Sequence, residues 1–271
     1  MKKYFIEVSD GVKLNVIDFT PEGSDPTKPV VVFVAGWISL PSGWKDFLKT
    51  LTPRYRTLYV ETREKISSIL PKGRQIDFSI ERMALDIGEI LQKTIPDGET
   101  FYFAGSSMGA TIILDYLSLG KRQPTQSFLI SPIAKFSIPT WALGLIKLSH
   151  PSFYSAIKPV VKWYLKNFRL DKKREPEQVA KYEGTLDAAE PARLKINALS
   201  VSKYSLWDKL GRVKSPVCLI GARTDTLHGV EELEKMVALM PHATLILMQS
   251  NKETHSERAG SFIADRIAGS G

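Results

Sequence analysis

Thiols and imidazoles are scarce in this chain of 271 residues, which has one cysteine, Cys218, and four histidines, His150, His228, His242 and His255. A lone thiol excludes an internal disulfide and a zinc site built mainly from thiolates. Cys218 stands in the apolar run 217–220, where a buried strand residue is its expected role. No apolar stretch reaches the roughly 18 residues that a membrane span needs. Met1-Lys2-Lys3 is not followed by a signal core, because Glu7 and Asp10 arrive too early. A cytoplasmic protein with no membrane span, no metal and no cofactor is expected. There is also no internal repeat and no low-complexity tract.

What is present is an ordinary globular composition, 43% apolar and 24% charged, in a length that allows one large α/β domain with an insertion. The net charge of +8 is unevenly placed. Residues 133–205 hold 13 Lys and Arg against 6 Asp and Glu, so nearly the whole excess lies there.

Residues 4–8 and 13–19 read as strands around Ser9-Asp10-Gly11, a hairpin turn signal. Residues 29–35 are apolar without alternation, as in a strand buried on both faces of a parallel sheet. Further strands are expected at 56–61, 100–104, 127–130, 217–220 and 244–248. Helices are expected at 44–51, 78–93, 110–119 and 230–240, with a last one starting near Ser256. Strands alternating with helices predict an α/β fold with a mostly parallel sheet flanked by helices. The alternation breaks after Pro132. The expectation is a core of residues 1–132 and 206–271, with 133–205 inserted as a helical cap.

The chemistry starts at Gly105-Ser106-Ser107-Met108-Gly109, a Gly-x-Ser-x-Gly pattern between an expected strand and an expected helix. At such a sharp turn the glycines let strand and helix pass closely, and the hydroxyl of Ser107 is held at the carboxyl edge of the sheet. The Met108 N–H, at the helix start, can stabilise an oxyanion. The plain alternative is a Gly/Ser helix entry with no chemistry. A serine needs a base, and His255 is the histidine in a polar loop after the last strand. His150 falls in the expected cap, and His242 in a turn before a strand. Asp225 follows the glycine-ended strand 217–221 and can orient the imidazole. The order nucleophile, acid, base is Ser107, Asp225, His255. His228, three residues from Asp225, is the rival reading, pairing locally or binding a metal weakly. The second oxyanion donor is expected in the loop after strand 29–35, from the N–H of Trp37 beyond Gly36.

These motifs resemble the α/β-hydrolase superfamily over about 200 residues: the two-strand start, Ala35-Gly36-Trp37, the Ser107 elbow, the Asp225 loop, Met240-Pro241-His242-Ala243 and the His255 loop. The resemblance implies acyl-enzyme chemistry, mostly on esters, without a cofactor, and a variable cap after the strand ending at Pro132. Three departures stand out. Ala35-Gly36 replaces the frequent His-Gly. Glu61-Thr62-Arg63-Glu64-Lys65-Ile66 replaces Asp-x-Arg-Gly-x-Gly, so that loop is expected to differ in shape. Thr254, not glycine, precedes the final histidine.

In the cap, Val161, Tyr164, Leu165 and Phe168 fall on one helical face, with Lys158, Lys162, Lys166 and Arg169 nearer the other; the plain reading is a helix packed on the core with a solvated basic face, the sharper one an apolar acyl pocket under a basic rim. The sequence therefore predicts a serine hydrolase of a carboxylic ester or thioester with an apolar acyl part. A basic rim would favour acidic or carrier-bound substrates, or peripheral contact with an anionic surface. No nucleic-acid motif accompanies the charge. The competing readings are a non-catalytic ligand-binding protein on the same fold, and a C–C hydrolase or perhydrolase using the same triad.

Overall fold

Side-chain alternation in the apolar strands decides how the sheet is covered. In strand β3 (Val30–Val34), Val30, Val32 and Val34 join one apolar cluster, while Val31, Phe33 and the following Ala35 join another on the opposite face. β5 (Phe101–Ser106) and β7 (Val217–Ala222) divide in the same way. Phe101, Phe103, Val217 and Leu219 lie on the first face, and Tyr102, Ala104, Cys218 and Ile220 on the second. A strand buried on both faces needs no polar alternation, which is why these runs read as continuously apolar.

The computed structural model describes all residues except 24, 26, 139, 149, 151–153, 155–157, 160–161, 164–182, 226–228 and 270–271. Its sheet has eight strands in the order β1-β2-β4-β3-β5-β6-β7-β8. The others are β1 (Lys2–Glu7), β2 (Lys13–Phe19), β4 (Thr57–Val60), β6 (Ser127–Ile130) and β8 (Ala243–Met248). β1 pairs antiparallel with β2, and β2 with β4; from β4 through β8 every pairing is parallel. The register sets Val34 beside Val60 and Gly105, Ser106 beside Ile130, and Ile130 beside Ile220. The carboxyl ends of the central strands therefore form one edge.

Helices α1 (Lys45–Leu51) and α8 (Glu257–Ala268) cover one face of the sheet. Helices α2 (Ile80–Thr94), α3 (Met108–Ser118) and α6 (Val230–Leu239) cover the other. The elements expected from sequence are present with shifted ends. The helix expected over 44–51 is a 3-10 turn, Pro41–Trp44, followed by α1, because Pro41 fixes the first turn. The helix expected from residue 78 starts at Ile80, because the Ser79 side chain accepts from the Arg82 N–H. The strand expected to end at Ala104 runs on to Ser106. No helix among the described residues is long and apolar enough to cross a membrane.

Between β6 and β7 the chain leaves the sheet. Lys135 and Ser205 form an antiparallel bridge, and the Leu206 N–H donates to the Ala134 carbonyl (2.8 Å). α4 (Thr140–Leu148) buries none of its residues. α5 (Pro191–Val201) starts on a cap in which the Glu190 carboxylate accepts from the Ala192 and Arg193 N–H groups. α5 is tied to the core where Asn197 Nδ2 donates to the Phe78 carbonyl (2.9 Å). The helical face of Val161, Tyr164, Leu165 and Phe168, with Lys166 and Arg169, lies outside the described residues.

In the loop after β4, Glu61, Thr62, Arg63, Glu64 and Lys65 are all buried. The fully buried Arg63 guanidinium binds both Asp86 oxygens (2.7 and 2.6 Å), Asp10 Oδ2 (2.7 Å) and the Asp77 carbonyl (2.8 Å). Buried charge survives only when paired and hydrogen-bonded in this way.

Candidate active site

Ser107 sits between β5 and α3 at φ 49° and ψ −121°, a backbone region that costs a non-glycine residue energy. The surrounding structure holds it there. Its N–H donates to the Ile130 carbonyl (2.8 Å), and its carbonyl accepts from the Thr111 N–H (3.0 Å) and Thr111 Oγ1 (3.1 Å). The flanking glycines are closely packed, and at Gly109 the contact is with backbone. A Cβ at Gly105 would lie 2.6 Å from Ile113 Cδ1. One at Gly109 would lie 2.5 Å from the Ala35 carbonyl oxygen and closer still to that of Val34. Only glycine lets α3 leave β5 so steeply beside β3. Met108 opens α3, so its N–H is one of the four without an intrahelical acceptor.

The loop after β3 lies against this elbow. A Cβ built on Gly36 would be 3.4 Å from Ser107 Cβ. The Ser39 N–H donates back to the Gly36 carbonyl (3.1 Å), closing a turn in which Ile38 takes φ 48°. A β-branched residue at positive φ marks a strained loop. Trp37, half-buried, follows Gly36 in that turn.

His255 ends the short helix α7 (Asn251–Thr254) after β8. Its ring lies against Trp44, with centroids 4.4 Å apart, and Trp44 in turn packs on Phe33 of β3 (4.8 Å). Trp44 Nε1 donates to Ser39 Oγ (2.8 Å). The loop from the sheet's edge strand thus returns across the carboxyl edge to the loop that touches Ser107. Nδ1 of His255 is 2.9 Å from the Asn251 carbonyl and 3.0 Å from Thr254 Oγ1. A carbonyl only accepts, so the contact to Asn251 is a hydrogen bond when the ring carries a proton on Nδ1.

Asp225, 9% exposed, follows β7 in a turn whose N–H donates to the Ala222 carbonyl (3.2 Å). Ser107, Trp37, Asp225 and His255 therefore all leave carboxyl ends of parallel strands. His150 and His242 do not join them. The His242 carbonyl accepts from the Val217 N–H at the amino end of the sheet, and His150 is exposed beyond α4. His228 lies outside the described residues. Among the described residues no group of three or more His, Cys, Asp or Glu could hold a metal ion.

Three features of this edge escaped the sequence reading. Trp44 reads there as an ordinary helix-start aromatic. Asn251 acts through its backbone, which leaves no side-chain signal. Ser131 follows β6, between the Ser107 and Asp225 strands, at φ 45° and 3% exposed, with an Oγ that has no hydrogen-bond partner among the described residues. Only the Ser131-Pro132 pair hinted at a turn there.

No protein-family model matches the sequence. A curated relative from Stutzerimonas stutzeri, "Putative carbamate hydrolase RutD", is 24% identical over 262 residues, covering 90% of this chain and 93% of the relative. A thermophilic esterase from Thermogutta terrifontis superposes with a TM-score of 0.78 at 16% identity, over 100% of this chain and 99% of the other. The enol-lactonase from Burkholderia xenovorans gives 0.77 at 17% identity, over 98% and 99%. The strand order, the parallel core and these superpositions together establish that the chain has the α/β-hydrolase fold.

Proposed function

We propose that this protein is a serine hydrolase that cleaves a carboxylic ester or thioester with an apolar acyl part. The observation that carries the reading is the strained backbone of Ser107, clamped between β5, α3 and the Gly36 loop. A fold does not maintain such a conformation without compensation, and its position at the carboxyl edge suits an exposed nucleophile.

In this reading, Ser107 Oγ attacks the substrate carbonyl while His255 Nε2 takes its proton. The N–H groups of Trp37 and Met108 receive the developing oxyanion. Collapse expels the alcohol or thiol, which takes the proton back from His255. Water then repeats the sequence on the acyl-enzyme and releases the acid. Nδ1–H of His255, held by the Asn251 carbonyl, presents the correct tautomer, and the Asp225 charge stabilises the imidazolium. Residues 133–205 form a cap over this edge, a reading supported by the Lys135–Ser205 bridge at its base. Its basic excess favours acidic or carrier-bound substrates. Esters, enol-lactones and carbamates, the compound classes in the names of three similar proteins, each contain an acyl carbon, which supports acyl transfer.

A chain-length series of p-nitrophenyl esters, run with the wild type and Ser107→Ala, tests this. Turnover that rises with acyl length and disappears in the variant is expected. Equal turnover by both proteins would refute it. A wild type that ignores every ester yet binds a small ligand would establish the non-catalytic alternative.

A further inference from the structure

The loop after β4 buries an ammonium group beside the elbow. Lys65 is 5% exposed, and a buried ammonium needs an acceptor for each of its three N–H bonds. It has three: the Gly36 carbonyl oxygen at 3.1 Å, Thr62 Oγ1 at 2.9 Å and Glu64 Oε1 at 3.0 Å. The Thr62 hydroxyl donates to the same Glu64 oxygen (2.8 Å), which closes the network. The turn itself is pinned from two sides. The Ser68 N–H donates to the Lys65 carbonyl (3.1 Å) and Ser68 Oγ to the Thr62 carbonyl (3.0 Å). From α5, Arg193 Nη1 donates to the Lys65 and Ser68 carbonyls (2.5 and 3.0 Å).

The Gly36 oxygen belongs to the same peptide unit as the Trp37 N–H. Among the described residues there is no cis peptide bond, and in a planar trans unit C=O and N–H point in opposite directions. Lys65 and the Ser39 N–H therefore fix that peptide by its oxygen and set the direction of its N–H. The cation does more than hold it. A charge-assisted bond to the oxygen draws electron density through the amide and makes the N–H a stronger donor, in a site where no solvent has to reorganise.

We infer that Lys65 is a positioning residue for the reaction, its ammonium orienting and polarising the Gly36–Trp37 peptide so that the Trp37 N–H stabilises the oxyanion. The inference rests on the serine-hydrolase reading above. A lysine that merely neutralises Glu64 would affect stability alone; one that tunes the oxyanion donor affects the transition state more than the bound substrate.

The test compares Lys65→Met, the double variant Glu64→Gln/Lys65→Met, which removes both charges of the buried pair, and Thr62→Val, which removes one holder of the ammonium. The expected result for the double variant is a thermal midpoint near that of the wild type, a kcat lower by roughly tenfold to a hundredfold, and KM within about twofold. Affinity for a trifluoromethyl ketone, which forms a tetrahedral adduct on serine, falls by the same factor as kcat/KM. Thr62→Val shifts both quantities the same way by a few-fold. A folded double variant that retains wild-type kcat and ketone affinity overturns the inference. Should both Lys65 variants fail to fold, unchanged values in Thr62→Val overturn it equally. Failure of the serine reading shows elsewhere, as a wild type inert toward esters or an active Ser107→Ala.

Discussion

The imidazole of His255 and the indole of Trp44 lie ring against ring, 4.4 Å between centroids and 33° between planes. Trp44 is fully buried and its N–H is committed to Ser39. The proposed base therefore leans on a side chain that also shapes the loop beside Ser107. Trp44→Phe keeps a ring but loses the hydrogen bond, and should lower kcat several-fold with a small fall in thermal midpoint. Trp44→Ala leaves a cavity worth about 3–5 kcal/mol. Thermal unfolding and steady-state kinetics on both variants check this; full activity in a folded Trp44→Ala would show that the ring contact is incidental.

His255 has an orienting partner that is not a carboxylate, the Asn251 carbonyl at 2.9 Å. That contact survives substitution of Asp225. Asp225→Asn should therefore cost less activity than His255→Ala, on the order of a hundredfold to ten-thousandfold against ten-thousandfold or more. Single-turnover kinetics on the two variants measure the gap. An equal loss would mean that Asp225 alone sets the tautomer.

The parallel core was legible in the sequence because its strands are buried on both faces; 30–34, 101–104 and 217–220 allow no other pattern. The sharp turn between β5 and α3 was legible because close packing demands glycine at 109 and leaves little room at 105, and glycine at fixed spacing can be read. Lys65 was not. A run of five polar residues, 61–65, ordinarily lies in solvent, and its burial depends on acceptors supplied by Gly36, Asp10 and Asp86, far away in sequence. Asn251 and Trp44 escaped for a related reason, since each acts through backbone or tertiary contact without a local spacing.

Two glycine-to-alanine changes should act in opposite directions. At Gly109 the new methyl meets the Val34 and Ala35 carbonyls far inside van der Waals contact, so α3 must move away from β3. A loss of about 3 kcal/mol or more is expected. At Gly144, within α4, no atom of the described residues lies within 4 Å of the added Cβ. There the helix gains roughly 0.5–1 kcal/mol. Denaturant melts of both variants decide the matter, and a tolerated Gly109→Ala would contradict the packing described at the elbow.

Acid should unfold the protein partly through its first hairpin. Burial raises the pKa of Asp10, but hydrogen bonds and charge from Arg63 outweigh it and hold the carboxyl below its usual value. For Glu89 burial is likewise outweighed, by bonds from Ser9 and Arg82. A carboxyl depressed on folding stabilises the native state above its ordinary pKa, about 4, and that contribution is lost as pH falls through the depressed value. Asp86 has the opposite sign, because burial raises its pKa. Asp10→Asn/Glu89→Gln should be less stable than wild type at pH 7 and lose less stability between pH 5 and pH 3. Urea melts across that range test this, and an unchanged acid slope would count against it.

The most direct test of the account is where a fluorophosphonate attaches. After labelling and proteolysis, mass spectrometry should find one phosphonylated peptide, modified at Ser107, and no adduct in Ser107→Ala. An adduct on another residue, or labelling undiminished in that variant, would contradict it.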